Sequence, residues 1–235
     1  MTRGKLIAIE GLDCSFKETN SKALYEYLVR KHGSFSVALC AFPRYNNSAS
    51  YLVRQYLYGK YGKPEKLDHS TVSSFYMLDM FDFMMCEGKK FLENGGILVL
   101  DRYWYSNIFY RLGAHYLANN NELHPISKKA IIESISTLAK ELDLPKADLI
   151  IKLKTDENVM IDYVKQKNSG DLHESNEAFL RAIHKQFDSI SLGEFANEGL
   201  AVDIHVTENG KVLPKDVIRR KIINAYDVNI GGFIE

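Results

Sequence analysis

The run Ile7-Ala8-Ile9-Glu10-Gly11-Leu12-Asp13-Cys14-Ser15-Phe16-Lys17-Glu18-Thr19 decides the fold. An apolar stretch enters a glycine, and a lysine follows six positions later at the start of a helical pattern. That is the layout of G-x-x-x-x-G-K-[ST], whose backbone N–H groups and lysine cradle nucleotide phosphates. On this reading Gly11 and Ser15 belong to the loop, and Lys17 meets phosphates at a helix N-terminus. The plain alternative is a surface lysine after a turn. Two working positions differ from the pattern. Phe16 stands where a second glycine would leave the backbone free of side-chain clash. Glu18 stands where a hydroxyl would meet Mg²⁺. Its carboxylate is a hard oxygen ligand for the metal, but its charge repels phosphate. Thr19 offers a hydroxyl one residue late.

Working outward, short apolar runs alternate with helical patterns. Strands are predicted at 6–10, 36–41, 97–101, 148–152 and 202–205. Helices are predicted at 19–31, 48–57, 68–94, 106–117, 127–142, 158–165, 174–191 and 215–225. The strands are continuously apolar rather than alternating, which is the pattern of a parallel sheet buried on both faces. The β/α alternation predicts a doubly wound sheet in a single domain over 1–235, with ligands at the carboxyl ends of the strands.

With 235 residues, 46% of them apolar, the chain can fill a substantial core. No run approaches the roughly 18 apolar residues of a membrane helix, and no cleavable leader is seen. A formal net charge of zero argues against a grip on polymeric nucleic acid. Three cysteines, Cys14, Cys40 and Cys86, match no zinc or disulfide spacing and fit a reduced, cytoplasmic protein. Cys40 and Cys86 lie among apolar neighbours and read as core.

Several polar residues fall at predicted strand ends. Asp101-Arg102-Tyr103 closes the run Ile97-Leu98-Val99-Leu100. There an Asp can hold Mg²⁺ or its water, and an Arg can clamp phosphate oxygens. The alternative is a structural ion pair. Phe42-Pro43-Arg44-Tyr45 follows the second strand, and its turn would present Arg44 to the same crevice; alone this is a weak signal. On the 68–94 helix the aromatic residues read mostly as core. Asp79 is less easily explained that way. The polar stretch at about 165–175 reads as a solvated loop or as a lid.

Taken together, these pieces resemble the thymidylate kinase family. The anchors are Ile9-Glu10-Gly11-Leu12-Asp13, Phe42-Pro43-Arg44-Tyr45, Tyr76-Met77-Leu78-Asp79, Asp101-Arg102-Tyr103 with Ser106-Asn107, and Asp171-Leu172-His173-Glu174. The resemblance implies a P-loop fold with a mostly parallel five-stranded sheet, ATP with Mg²⁺, dTMP as acceptor and a homodimer. It implies catalytic roles for Lys17, Asp13 and Arg102, and metal contact for Asp101 and Glu18. Gly11, Ser15, Lys17 and Thr19 would hold ATP. Arg44, Tyr76, Arg102, Ser106, Tyr110 and Arg111 would hold the acceptor, with Tyr76 stacking on the base. The departures bear on chemistry. Met80 replaces an arginine of the base site, and Arg111 falls where many bacterial relatives carry glutamine. Neither Asp13-Cys14-Ser15 nor the lid supplies the family's catalytic arginine. Two alternatives therefore stand beside a dTMP kinase: a kinase for a different base, and a nucleotide-binding relative with impaired catalysis.

Overall fold

The structure, a computed structural model, describes residues 3–62, 67–167, 176–190 and 200–233. Five strands form one sheet: β1 (Lys5–Gly11), β2 (Val37–Ala41), β3 (Ile97–Asp101), β4 (Leu149–Lys154) and β5 (Leu200–His205). Their order is β2-β3-β1-β4-β5, and every pairing is parallel. Both faces are buried, so the side chains of one strand divide between two cores. Leu6 and Ala8 of β1 face one cluster with Leu98, Leu100 and Ile150. Ile7 and Ile9 face the other, with Val99, Leu149 and Ile151. That division is the physical reason for the uninterrupted apolar runs in the sequence.

Helix α1 (Lys17–His32) and α9 (Lys215–Asn229) cover the second face, through Leu24, Leu28, Ile218 and Ile222. The first face carries α3 (His69–Phe83), α5 (Tyr105–Ala118), α6 (Pro125–Glu141) and α8 (Glu177–Ser189). Gly113 lets α5 and α8 approach closely, since a Cβ there would stand 2.6 Å from Ile183 Cγ1. The remaining helices are α2 (Tyr51–Leu57), α4 (Lys89–Glu93) and α7 (Glu157–Lys167).

Each predicted strand and helix has a counterpart, with differences in detail. The single helix expected over 68–94 is α3 and α4 joined by a π-helical turn, Met84–Gly88. A short antiparallel hairpin, β6 (Thr207–Glu208) with β7 (Lys211–Val212), has no counterpart in the sequence reading. None of the three cysteines is in a disulfide, and Cys86 is exposed rather than core. Burial pushes the half-buried Cys40 thiol up to about 12. Most of the proposed lid, 168–175, lies outside the described residues. Its first basic residue, Lys165, pairs with Glu177 at 2.9 Å. No described helix is long and apolar enough to cross a membrane.

Candidate active site

The loop from β1 to α1 keeps its turn with unusual residues. Cys14 has φ 60° and Phe16 has φ 61°, both in the left-handed region that favours glycine. That conformation costs a non-glycine residue roughly 1–2 kcal/mol, and neighbouring contacts offset it. The Phe16 carbonyl accepts from Asn20 N at 3.1 Å and Asn20 Nδ2 at 2.8 Å. Its ring meets Tyr163 of α7 edge-on, with centroids 5.5 Å apart. Gly11 is required sterically, because a Cβ would stand 2.3 Å from Ser15 Oγ.

Lys17 is buried at the start of α1. It donates to the Leu12 carbonyl at 2.6 Å and to Ser15 Oγ at 3.3 Å. Burial, reinforced by the positive charge of Arg102, lowers its pKa to about 8, against the pull of Asp13, Asp101 and Glu10. Glu18 and Thr19 follow in the first turn of α1 and are exposed.

Arg102 links this loop to the strand ends. Its φ of 64° is also left-handed. Its guanidinium donates to the Gly11 carbonyl at 2.9 Å and to Asp13 Oδ1 at 2.5 Å. Tyr110 donates to the other Asp13 oxygen at 3.2 Å. Burial opposes the Arg102 charge, but Tyr110, Asp13, Asp101 and Glu10 hold the group above its ordinary pKa. Asp101, at the end of β3, is pushed up by burial; Lys17 and Arg102 oppose this and the Glu18 charge adds to it.

Beside this polar chain lies a mostly apolar pocket. Phe42, Tyr45, Tyr56, Val72, Tyr76 and Met80 line it from one side. Ser106, Asn107, Tyr110, Arg111 and Phe179 line it from the other, and Asp13 and Arg102 also belong to its lining. Tyr76 is packed edge-on by Tyr56, with centroids 6.4 Å apart. Arg111 sits at the rim and donates to Ser134 Oγ of α6 at 3.1 Å.

Thus Asp13, Tyr76, Arg102, Ser106, Tyr110 and Arg111 come together, with Lys17 and Asp101 adjoining through their charges. Arg44, expected to hold the acceptor phosphate, is not among the residues that line this pocket and is paired with carboxylates of α3. Its Nε donates to Asp79 Oδ1 at 2.8 Å and its Nη2 to Asp82 at 2.6 Å. The side chain lines a surface groove with Leu39, Glu87 and Asn46, and its neighbour Tyr45 lines both that groove and the pocket. The buried carboxylate of Asp79 holds it there. Thr19, expected to help hold ATP, is exposed on α1 beyond the loop.

Several residues of the site were not assigned from sequence, among them Glu10, Asn107, Tyr45 and Phe179. Glu10 is fully buried, accepts from Tyr103 N at 2.8 Å and from the Ser106 hydroxyl, and ties β1 to the start of α5. Burial raises its pKa to about 7, against the hydrogen bonds from Ser106 and Tyr103 and the charges of Arg102 and Lys17. An acid ending an apolar strand was its available signal. Asn107 was legible as the neighbour of Ser106. Tyr45 and Phe179 carried no signal that separates them from ordinary packing.

The donor set fits Mg²⁺ bound with a nucleotide, since that ion takes one or two carboxylates plus phosphate oxygens and water. Asp101 and Glu18 lie close enough for their charges to interact. No group of three or more metal-ligating side chains occurs among the described residues, so the phosphates would complete the coordination.

A parallel 2-3-1-4-5 sheet, a glycine-lysine loop after its central strand and an adjoining aromatic pocket define a P-loop nucleoside monophosphate kinase. Residues 9–198 match the family model for thymidylate kinase. The chain belongs to the thymidylate kinase family. It is 26% identical over 217 residues to the thymidylate kinase of Plasmodium falciparum, covering 92% of this chain and 89% of that one. It is 34% identical over 107 residues to a putative thymidylate kinase of Invertebrate iridescent virus 6, about half of each chain (46% and 47%). The fold matches the thymidylate kinase structure from Candida albicans with TM-score 0.65 and 22% identity, over 97% of this chain and 92% of that one. It matches the one from Ehrlichia chaffeensis with TM-score 0.64 and 18% identity, over 94% and 98%.

Proposed function

We propose that this chain transfers the γ-phosphoryl group of ATP to the 5′-phosphate of dTMP. The observation that carries the reading is the Arg102–Asp13–Tyr110 chain, which spans the border between the phosphate loop and the aromatic pocket. In this assignment the base lies beside Tyr76, with Asn107 and Arg111 as the polar groups that select it. Arg102 holds the acceptor phosphate, whose oxygen attacks the γ-phosphorus as the bond to the β-phosphate oxygen breaks and ADP leaves. Lys17 binds the donor phosphates as a cation. Mg²⁺, held by Asp101 with the phosphates, would offset charge on the transferring group. The enzyme would act as a cytoplasmic homodimer. Exposed Leu78 of α3 and Met85 of the π-helical turn after it support the self-association.

A second reading, nucleotide binding with impaired transfer, is favoured by one feature. Glu18 brings an exposed negative charge to the first turn of α1, where the loop pattern has a neutral hydroxyl. A positioned arginine is worth about 10³–10⁵ in such chemistry, and this loop has none. ADP release from Mg²⁺-ATP with each deoxynucleoside monophosphate in turn decides between them. Turnover with dTMP above the other three supports the kinase. Turnover with another base moves the assignment, and tight acceptor binding without ADP release supports the second reading.

A further inference from the structure

Phe16 occupies the loop position at which a glycine is expected, in a glycine-like conformation (φ 61°, ψ 26°). Its ring turns to α7, where it meets the ring of Tyr163 at 5.5 Å and 85°, and packs against the cluster containing Ile9, Leu24 and Ile151. Its carbonyl is held twice by Asn20. A glycine here would be free to leave the left-handed region, with no side chain to hold it. A phenylalanine held by its ring has that freedom removed.

We propose that Phe16 and Tyr163 are positioning residues that preorganise the phosphate loop for its anionic ligand through their aromatic contact. The proposal rests on the donor reading of the loop. It assigns a function to Tyr163, a residue of α7 outside both the loop and the acceptor pocket. Phe16 and Tyr163 act on the loop's conformation, whose backbone N–H groups then need less reordering when phosphates arrive. The loss should therefore fall on donor binding and spare acceptor binding.

The test compares the full-length parent with Tyr163→Ala, Tyr163→Phe, Phe16→Gly and the double variant Phe16→Gly/Tyr163→Ala. Calorimetric ADP binding is read together with KM for ATP and for the acceptor. Tyr163 is 38% exposed, so truncating it leaves the main core in place. Thermal melts confirm folding. In Tyr163→Ala, ADP affinity should weaken about threefold to tenfold, the range of an aromatic edge contact. The acceptor KM should stay at the parent value. Tyr163→Phe should behave as the parent, because the ring and not the hydroxyl makes the contact. The double variant should be no worse than Phe16→Gly, since one contact is lost either way. Unchanged ADP affinity in Tyr163→Ala, tighter binding in Phe16→Gly, or effects that multiply in the double variant would overturn the proposal. The ADP measurement is independent of turnover. Coupled ADP binding with no phosphoryl transfer to any acceptor would therefore support this inference while the kinase reading failed.

Discussion

Arg44 Nε donates to Oδ1 of Asp79 at 2.8 Å, and the Arg44 backbone N–H donates to Oδ2 of the same carboxylate at 2.8 Å. Ser50 Oγ adds a third donor at 2.6 Å. Asp79 is fully buried, and these donors are its contacts to the turn after β2 and the residues that follow it. The arginine is thus committed to holding the turn after β2 against α3. Arg44→Ala should cost roughly 2–4 kcal/mol of stability, because it strips a buried carboxylate of its counter-charge. Urea denaturation measures this. Acceptor affinity of the folded variant should match the parent. A variant of parental stability with weakened acceptor binding would place Arg44 in the phosphate site.

Arg102 has the opposite profile. It bridges Gly11 and Asp13 and lines the pocket. Arg102→Ala should weaken dTMP binding by about 1.5–3 kcal/mol, the value of charge-assisted hydrogen bonds. Arg102→Lys should recover only part, since an ammonium cannot reproduce the guanidinium fork. Titration calorimetry with dTMP gives both numbers. Parental affinity in the alanine variant would remove Arg102 from the acceptor site.

The contrast between these arginines shows what the sequence could convey. Strand identity was legible because a two-sided parallel sheet imposes continuous apolar runs, as in Leu98-Val99-Leu100. Lys17 and the Asp101-Arg102 pair were legible because their distance from a strand end is fixed by short connections. Arg44 was not. Whether a loop arginine turns inward depends on which carboxylates the tertiary fold brings near, and Asp79 and Asp82 come from a helix more than thirty residues on. Phe16 had a related fate. Sequence shows that glycine is missing, but only packing shows that the ring turns to Tyr163 while the backbone keeps a positive φ. The β6–β7 hairpin escaped because two-residue strands are too short to carry a period.

Glu18 is exposed in the first turn of α1 and near enough for its charge to act on Asp101. Glu18→Thr removes a charge that faces incoming phosphates and supplies a neutral hydroxyl. Affinity for Mg²⁺-ATP should rise about tenfold, equivalent to roughly 1.4 kcal/mol, and kcat should rise with it. Calorimetry with and without Mg²⁺ separates relief of repulsion from a change in the metal site. A variant that binds Mg²⁺-ATP more weakly would show that the Glu18 carboxylate is a needed metal ligand.

Glu10 makes stability depend on pH in a defined direction. Burial raises its pKa from 4.5 to about 7; the Ser106 and Tyr103 hydrogen bonds and the charges of Arg102 and Lys17 act the other way. Between those two values the folded protein keeps a proton that the unfolded chain has released. The folded state therefore binds more protons than the unfolded state, and this group's contribution to stability falls as pH rises through the window. Below about 4.5 both states are protonated and the contribution is constant; above about 7 both are ionised and the loss is complete. Glu10→Gln keeps an acceptor for Tyr103 N and a polar partner for Ser106, but cannot ionise. Relative to the parent, the variant should gain stability between about pH 5 and about pH 8, by at most about 3 kcal/mol. Urea midpoints of both proteins at the two pH values give the difference directly, and other titrating groups cancel in the comparison. Parallel pH profiles would mean that Glu10 ionises in the folded protein as it does in water.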